Sequence, residues 1–435
     1  MKKNKIIEQK LWKWANDLFP VCRSITGEGT RYSLFYIKNI LPKLKVFQIK
    51  SGTKVFDWKI PDEWLIKNAY IMNSKGKKLI DFKENNLHVL GYSTPINKLI
   101  NYAKLEKNLY SLPKFPSAIP YVTSYYERRW GFCISHKQKL KLKKEKKPLR
   151  VLIDSKLFKG CMNYGELIIK GKSKKEIFIS TYICHPSLAN NEISGPVVTT
   201  ALAEWINNLK NKYYTYRIIF IPETIGSIAY ISKNLKSLKK DVKAAFNITC
   251  VGDNKSHSYL ESKFKNTLSD RSAVKAFETL KIKYKKFSFL NDRGSDERQY
   301  SSPGVDLPIC SMMRSKYGEY KEYHTSKDNL SFISSKGLLG GYEVIKTAIE
   351  ILELNRNYIA SNKCEPQLGK RNLKSTLGGS ALMEDYKIMS NILSYADGKN
   401  DVIELSNIIG KNIFLINKSI KTLLKFKLLK IVKGY

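Results

Sequence analysis

The feature that most constrains this chain is an alternation beginning at Leu149, in which short apolar runs are separated by stretches of helical period. RVLID, ELIIKG, EIFISTYI, YRIIFIPE and AAFNITCVG read as strands; Gly195 to Leu209 reads as a helix, with a short helix expected after Glu223. Strands this continuously apolar are buried on both faces, which requires a mostly parallel or mixed sheet covered by helices. Two more helices are expected at Asp270 to Lys281 and Lys336 to Leu354, the second closing the domain. The fold class is therefore α/β.

Both flanks have a different texture. Apolar residues at helical spacing (Ile7, Leu11, Trp14, Leu18) followed by Pro20 predict an opening helix from Ile6 to Phe19, and CRSITGEGTRYSLFY predicts a glycine-bearing turn feeding another. From Val46 to Trp130 short β-like runs (Ala69 to Met72, Lys78 to Phe82, Leu87 to Leu90) are broken by Gly, Asn and Pro, which predicts a small β-rich domain. KQKLKLKKEKKP, from Lys137 to Pro148, fits either an edge strand or a solvated connection. A polar stretch with Pro366, Gly369 and the Gly378-Gly379 pair precedes helical patterns at Asp385 to Ala396, Asp401 to Ile409 and Ile413 to Phe426, then the apolar run LLKIV. Three short helices and a strand-like end resemble a winged helix-turn-helix. The expected organisation is a discontinuous main domain, 1–45 with 135–358, an insertion at 46–134, and a C-terminal domain at 375–435.

Composition narrows the functional classes. A net charge of +39 would ordinarily point to nucleic acid or an anionic membrane. Here it comes from 65 lysines and only 12 arginines, spread widely, whereas bidentate phosphate recognition favours arginine. The helix Ile413 to Phe426 offers Lys418, Lys421 and Lys425, which can touch phosphates but are not the Arg, Asn or Gln expected for strong base readout, so nucleic acid is not the favoured partner. Seven scattered cysteines without a Cys-x-x-Cys pair exclude a disulfide framework or zinc ribbon. No stretch is long and apolar enough to span a bilayer, and the basic N-terminus lacks a signal-peptide core, so a cytoplasmic protein without membrane partners is expected, with self-association left open.

Open α/β sheets place their sites at the carboxyl ends of strands. EIFISTYI runs into CHPSLANNEISG, setting His185 at a strand end and Asn190, Asn191 and Glu192 before the next helix. An imidazole followed by a carboxylate suits Zn²⁺, although a capping turn reads equally well from this segment. Glu223 ends YRIIFIP, where a carboxylate is either a general base or a helix N-terminal anion; Asp253 follows AAFNITCVG. NDRGSDERQYSSPGVDLP and EYHTSKDN add Asp296, Glu297, Arg298 and His324, the natural second imidazole in a chain with five histidines.

These residues resemble the co-catalytic zinc aminopeptidases and their glutaminyl cyclase relatives. The match is closer to a branch carrying an aminopeptidase-like domain, through CRSITGEGTR, FDWKIPDEW, NLHVLGYSTP, ERRWGFC, ICHPSLANNEISGP, GSDERQYSSPGVDLP and EYHTSKDN, across most of residues 20–330. The resemblance implies a peptidase domain interrupted by a β-rich domain and followed by a winged helix. It also implies His185 and His324 as first and last metal ligands and Glu223 as general base. Asn191 then stands where a bridging Asp is expected, with Glu192 beside it, and Thr224 and Thr249 stand where two acidic ligands are expected. Two zinc ions about 3.5 Å apart need several carboxylates to offset their repulsion, so one zinc is expected, held by His185, His324 and a carboxylate. Glu192 is the expected third ligand, with Asp253 or Asp296 as rivals, and Asp296 alternatively fixes an imidazole tautomer.

Members of that branch are associated with surface-polysaccharide biosynthesis, so the resemblance implies an amide-processing hydrolase acting on a peptide-like or amino-sugar amide. Asn191, Asp296 and Arg298 are expected to contact substrate, and the scarce Arg23, Arg128 and Arg129 could bind an anionic group or form salt bridges. The alternative is a catalytically inactive aminopeptidase fold kept as a binding or regulatory protein, its winged helix contacting a protein partner or DNA.

Overall fold

A computed structural model describes residues 2–373 and 380–432. The chain divides into two compact units, Met1–Ser269 with Tyr284–Glu343, and Asp270–Lys283 with Val344–Tyr435.

The first unit is built on an eight-stranded mixed sheet. Its four central strands, in the order Thr215–Ile221, Glu176–Tyr182, Val242–Ile248, Ile309–Met313, are mutually parallel. Every residue of Glu176–Tyr182 is buried, as expected for a strand covered on both faces. Lys45–Lys50 and Cys161–Ile169 extend one edge antiparallel, and Ser258–Leu260 with Lys285–Phe287 extends the other. Covering helices include Lys2–Leu18, Glu28–Ile40, Ser194–Asn208 and Ile225–Asp241; the first and third lie within four residues of their expected bounds, whereas the last runs for 17 residues where a short helix is expected. All four central strands end on the same side, which gathers the His185, Glu223 and Thr249 loops there.

A second, four-stranded antiparallel sheet orders Lys78–Asp81, Glu63–Met72, Leu149–Phe158 and Ile96–Ile100. Leu149–Phe158, which opens the alternation in sequence, thus lies in this sheet and not in the large one. Its burial alternates along the strand, unlike the uniformly buried central strands. Lys137 to Pro148 is not an edge strand: His136–Lys143 is a helix, because Ser135 and Gln138 close a reciprocal capping box at its start, and Lys144 to Pro148 forms a mostly exposed connection. Leu87 to Leu90 is likewise not a strand, since Asn85 accepts from the Leu87 N–H and folds Asn86–His88 into a 3-10 turn.

The second unit has the winged-helix arrangement, with helices Ser380–Tyr395, Val402–Ile409 and Ile413–Lys425. Asn357–Ala360 pairs antiparallel with both Asp397–Asp401 and Leu429–Ile431. Asp401 and Asn412 cap the last two helices, and Gly410 terminates the first of these in the left-handed region. The expected Gly378-Gly379 breakpoint lies outside the described residues. Among the described residues no helix is long and apolar enough to cross a membrane.

Candidate metal centre

His185 follows its strand by three residues and is buried. Its Nδ1 lies 2.7 Å from Glu192 Oε2, while Glu192 Oε1 accepts from the Cys184 backbone N–H at 2.6 Å. Behind Glu192 stands the buried Arg23, with Nε 3.7 Å from Oε1; the same Nε donates to the His185 carbonyl at 3.0 Å. Burial opposes charge on the imidazole, but Cys184 and Glu192 outweigh it and hold its pKa above the usual histidine range.

Glu192 can do this because Ala189–Ile193 forms a wide π-turn, a distortion common at functional sites. The Asp328 carboxylate anchors the turn, accepting from the Asn190 N–H at 2.6 Å and the Asn191 N–H at 2.9 Å. Both Glu192 oxygens are therefore committed on the Nδ1 side of the ring. Cys184 Sγ, His185 Nδ1 and a Glu192 oxygen do lie within 4.8 Å of one another, but here the imidazole and the carboxylate bond each other and a guanidinium already supplies the cation.

The other ring nitrogen of His185 faces the cavity. Its Nε2 is 3.6 Å from Glu223 Oε2. Glu223 is held by a strained turn: Thr224 has φ 63° and ψ −77°, and the Ile225 N–H donates to the Glu223 carbonyl at 2.8 Å, the geometry of a γ-turn. Ser295 Oγ donates to Glu223 Oε1 at 2.7 Å. Asp296 stabilises the turn, its Oδ1 accepting from the Thr224 N–H at 2.8 Å and Ser227 Oγ at 2.9 Å. Burial and the nearby Glu223 raise the pKa of Asp296, and burial raises that of Glu223.

His324 completes the group. Its ring centroid is 5.5 Å from that of His185, and Tyr121 packs 5.1 Å from both rings. Burial, with the neighbouring His185, pushes its pKa down to about 3. Its buried Nε2 has no hydrogen-bond partner among the described residues. The two imidazoles and Glu223 line one cavity of ≈ 320 Å³, walled by Trp58, Tyr121, Tyr125 and Tyr126.

The other expected residues fall elsewhere. Asp253 is consumed by its loop, accepting from Asn190 Nδ2 at 3.0 Å, the Ser315 N–H at 2.9 Å and Ser315 Oγ at 2.8 Å. Thr249 bonds the Tyr182 hydroxyl, to which Asn191 Nδ2 also donates at 2.7 Å. Arg298 Nη2 donates to Thr224 Oγ1 at 3.0 Å, and Arg128 pairs with Asp62 at 2.7 Å. Cys184 and Tyr121 were not expected. Cys184 adjoins His185 in sequence, but Tyr121 reaches the site only because its N–H donates to the His324 carbonyl at 2.8 Å.

His185, Glu223 and His324 line one cavity, and the buried His324 Nε2 there has no partner among the described residues, whereas the ligand atoms within 4.8 Å of one another are those of Cys184, His185 and Glu192. Asn191, Thr224 and Thr249 bring no charge that would offset a second ion.

Fold and site together define an aminopeptidase-like protein with a C-terminal winged helix. A zinc aminopeptidase from Bacillus subtilis has the same fold over 79% of this chain and 94% of its own, at TM-score 0.57 and 14% identity. The family model described as a domain of unknown function, DUF4910, matches residues 12–355, and a winged helix-turn-helix model matches 356–431. The chain belongs to the DUF4910 family. It is 42% identical, over 97% of its length and 96% of the relative's, to a Clostridium acetobutylicum protein named for polysaccharide biosynthesis with an aminopeptidase-like domain. A C. acetobutylicum crystal structure, provisionally named as a peptidase, superposes at TM-score 0.92 with 40% identity, covering 99% of this chain and 98% of that one.

Proposed function

We propose that this protein is a mononuclear zinc-dependent hydrolase of an amide carried on an amino sugar, with His185 Nε2 and His324 Nε2 holding the ion and Glu223 moving the proton. The observation that carries this reading is the unpartnered, buried Nε2 of His324 on the cavity that His185 and Glu223 also line. A zinc ion there supplies Lewis acidity to the scissile carbonyl. Glu223, with Oε1 fixed by Ser295, keeps Oε2 on the cavity side to take a proton from water and deliver it to the leaving nitrogen as the C–O bond forms and the C–N bond breaks. Glu192 is a positioning residue: by holding Nδ1 it orients the ring so that Nε2 is the nitrogen on the Glu223 side. The sugar assignment rests on the polysaccharide-biosynthesis name of the Clostridium relative.

Purified zinc-loaded protein is expected to hydrolyse N-acyl amino sugars, and Glu223→Gln to lose at least about a hundredfold in kcat while keeping its zinc. Equal activity in Glu223→Gln, or no turnover of any N-acyl amino sugar by the zinc-loaded protein, would refute the reading.

The missing acidic groups at Thr224 and Thr249 favour a second reading, a binding protein without turnover. It predicts that zinc-loaded protein binds such sugars tightly and leaves the amide intact.

A further inference from the structure

The cavity at the metal centre has a neighbour that shares one of its walls. Trp58 sits on a two-stranded hairpin, Lys54–Val55 with Trp58–Lys59, whose tip holds Phe56 at φ 53°. A bulky residue seldom adopts that conformation, and such strain concentrates at ligand-binding sites. The tip leaves Phe56 61% and Trp58 39% exposed. Exposed aromatic side chains on a strained turn, beside a polar site, point to a surface that something covers.

On one side Trp58 lines the metal-site cavity, with the Tyr126 ring edge-on to it at 5.6 Å and 66°. On the other it lines a second cavity of ≈ 240 Å³, together with Asp57, Ile228, Gln299, Ser302 and Val305. Gln299 and Ser302 belong to the segment that also carries Ser295 and Asp296, so the elements that hold Glu223 also shape the second cavity.

We propose that the second cavity is a subsite for a pyranose ring of the substrate, with Trp58 as its specificity-determining residue. The lining pairs the Trp58 indole, the Phe56 ring, Pro303 and three aliphatic side chains, Ile228, Ile231 and Val305, with a carboxylate, a carboxamide and a hydroxyl. A pyranose has the matching character, with C–H groups on its faces and hydroxyls around its rim. An acyl chain would make no use of the Asp57 carboxylate or the Gln299 carboxamide, and an anionic group would meet Asp57. The subsite's place in catalysis rests on the amide-hydrolase reading, but its binding does not.

The test is calorimetric titration of N,N′-diacetylchitobiose into the full chain and its variants, with octanamide as the acyl-chain probe. Saturable disaccharide binding is expected, weakened about tenfold or more by Trp58→Ala, largely restored in Trp58→Phe and retained in Glu223→Gln, with zinc content equal in all. Disaccharide binding that is absent from the wild type, or equal in Trp58→Ala, overturns the subsite, as does Trp58-dependent binding of octanamide alone. Trp58-dependent binding without hydrolysis rejects only the proposed reaction; hydrolysis indifferent to Trp58 rejects only the subsite.

Discussion

Glu192 and His185 form a buried pair in which a carboxylate oxygen sits 2.7 Å from Nδ1, with Arg23 closing the far side of the carboxylate at 3.7 Å. The pair directs the imidazole by one nitrogen and leaves the other for chemistry. Glu192→Gln is therefore expected to lower zinc affinity by about 10- to 100-fold without abolishing it, measured by competition with a chelator. Abolished binding would make Glu192 a ligand, and unchanged affinity would remove it from the site.

Gly195 is the second residue of the helix that follows the π-turn, where any Cβ would lie 2.5 Å from Thr181 Oγ1 and 2.7 Å from the Ile248 carbonyl. Helix and strand ends can approach this closely only without a side chain. Gly195→Ala should destabilise the protein by about 1–3 kcal/mol in urea denaturation, and an unchanged midpoint would mean that the helix shifts freely.

Arg217 clamps three strands and a helix. It donates to both Glu176 oxygens at 2.7 and 2.8 Å, to Glu166 at 3.1 Å and to the Tyr230 hydroxyl at 3.0 Å. Arg217→Ala strands two carboxylates in the sheet, and a loss of about 3–5 kcal/mol is expected on chemical denaturation. A loss below about 1 kcal/mol would show that the carboxylates relax to solvent.

His257 accepts from the Arg314 guanidinium, a bond that needs the neutral ring. Burial, then the charge of Arg314, pushes its pKa down to about 4 from the usual 6.5. Between those values the unfolded chain binds the proton that the folded one refuses, so stability falls as pH drops from 6.5 toward 4. Thermal denaturation of wild type and His257→Gln across that window should show a steeper fall for wild type. Parallel curves would contradict the assignment.

Much of this site is legible in the sequence because long apolar runs mark the buried strands and the first titratable residue after each run lies where the chain leaves the sheet. His185 and Glu223 stand out for that reason, each at the end of an apolar run. The Leu149–Phe158 strand is assigned to the wrong sheet when only its apolar content is considered, since its alternating burial is the mark of a half-exposed strand. The Lys137 region hides a helix because Leu140 and Leu142 imitate a period of two, although Ser135 and Gln138 carry the capping signal. Tyr121 is beyond sequence reasoning: an isolated bridge between Pro120 and Thr325 brings it beside His324. The commitment of Glu192 to Nδ1 is likewise a product of the π-turn, which no local residue pattern announces.

The proposed ion binds on the Nε2 side of His185. Anomalous scattering at the zinc edge from crystals of the zinc-loaded protein tests it most directly. The prediction is a single peak within bonding distance of His185 Nε2 and His324 Nε2. Two peaks, or a single peak among Cys184 Sγ, His185 Nδ1 and Glu192, would contradict it.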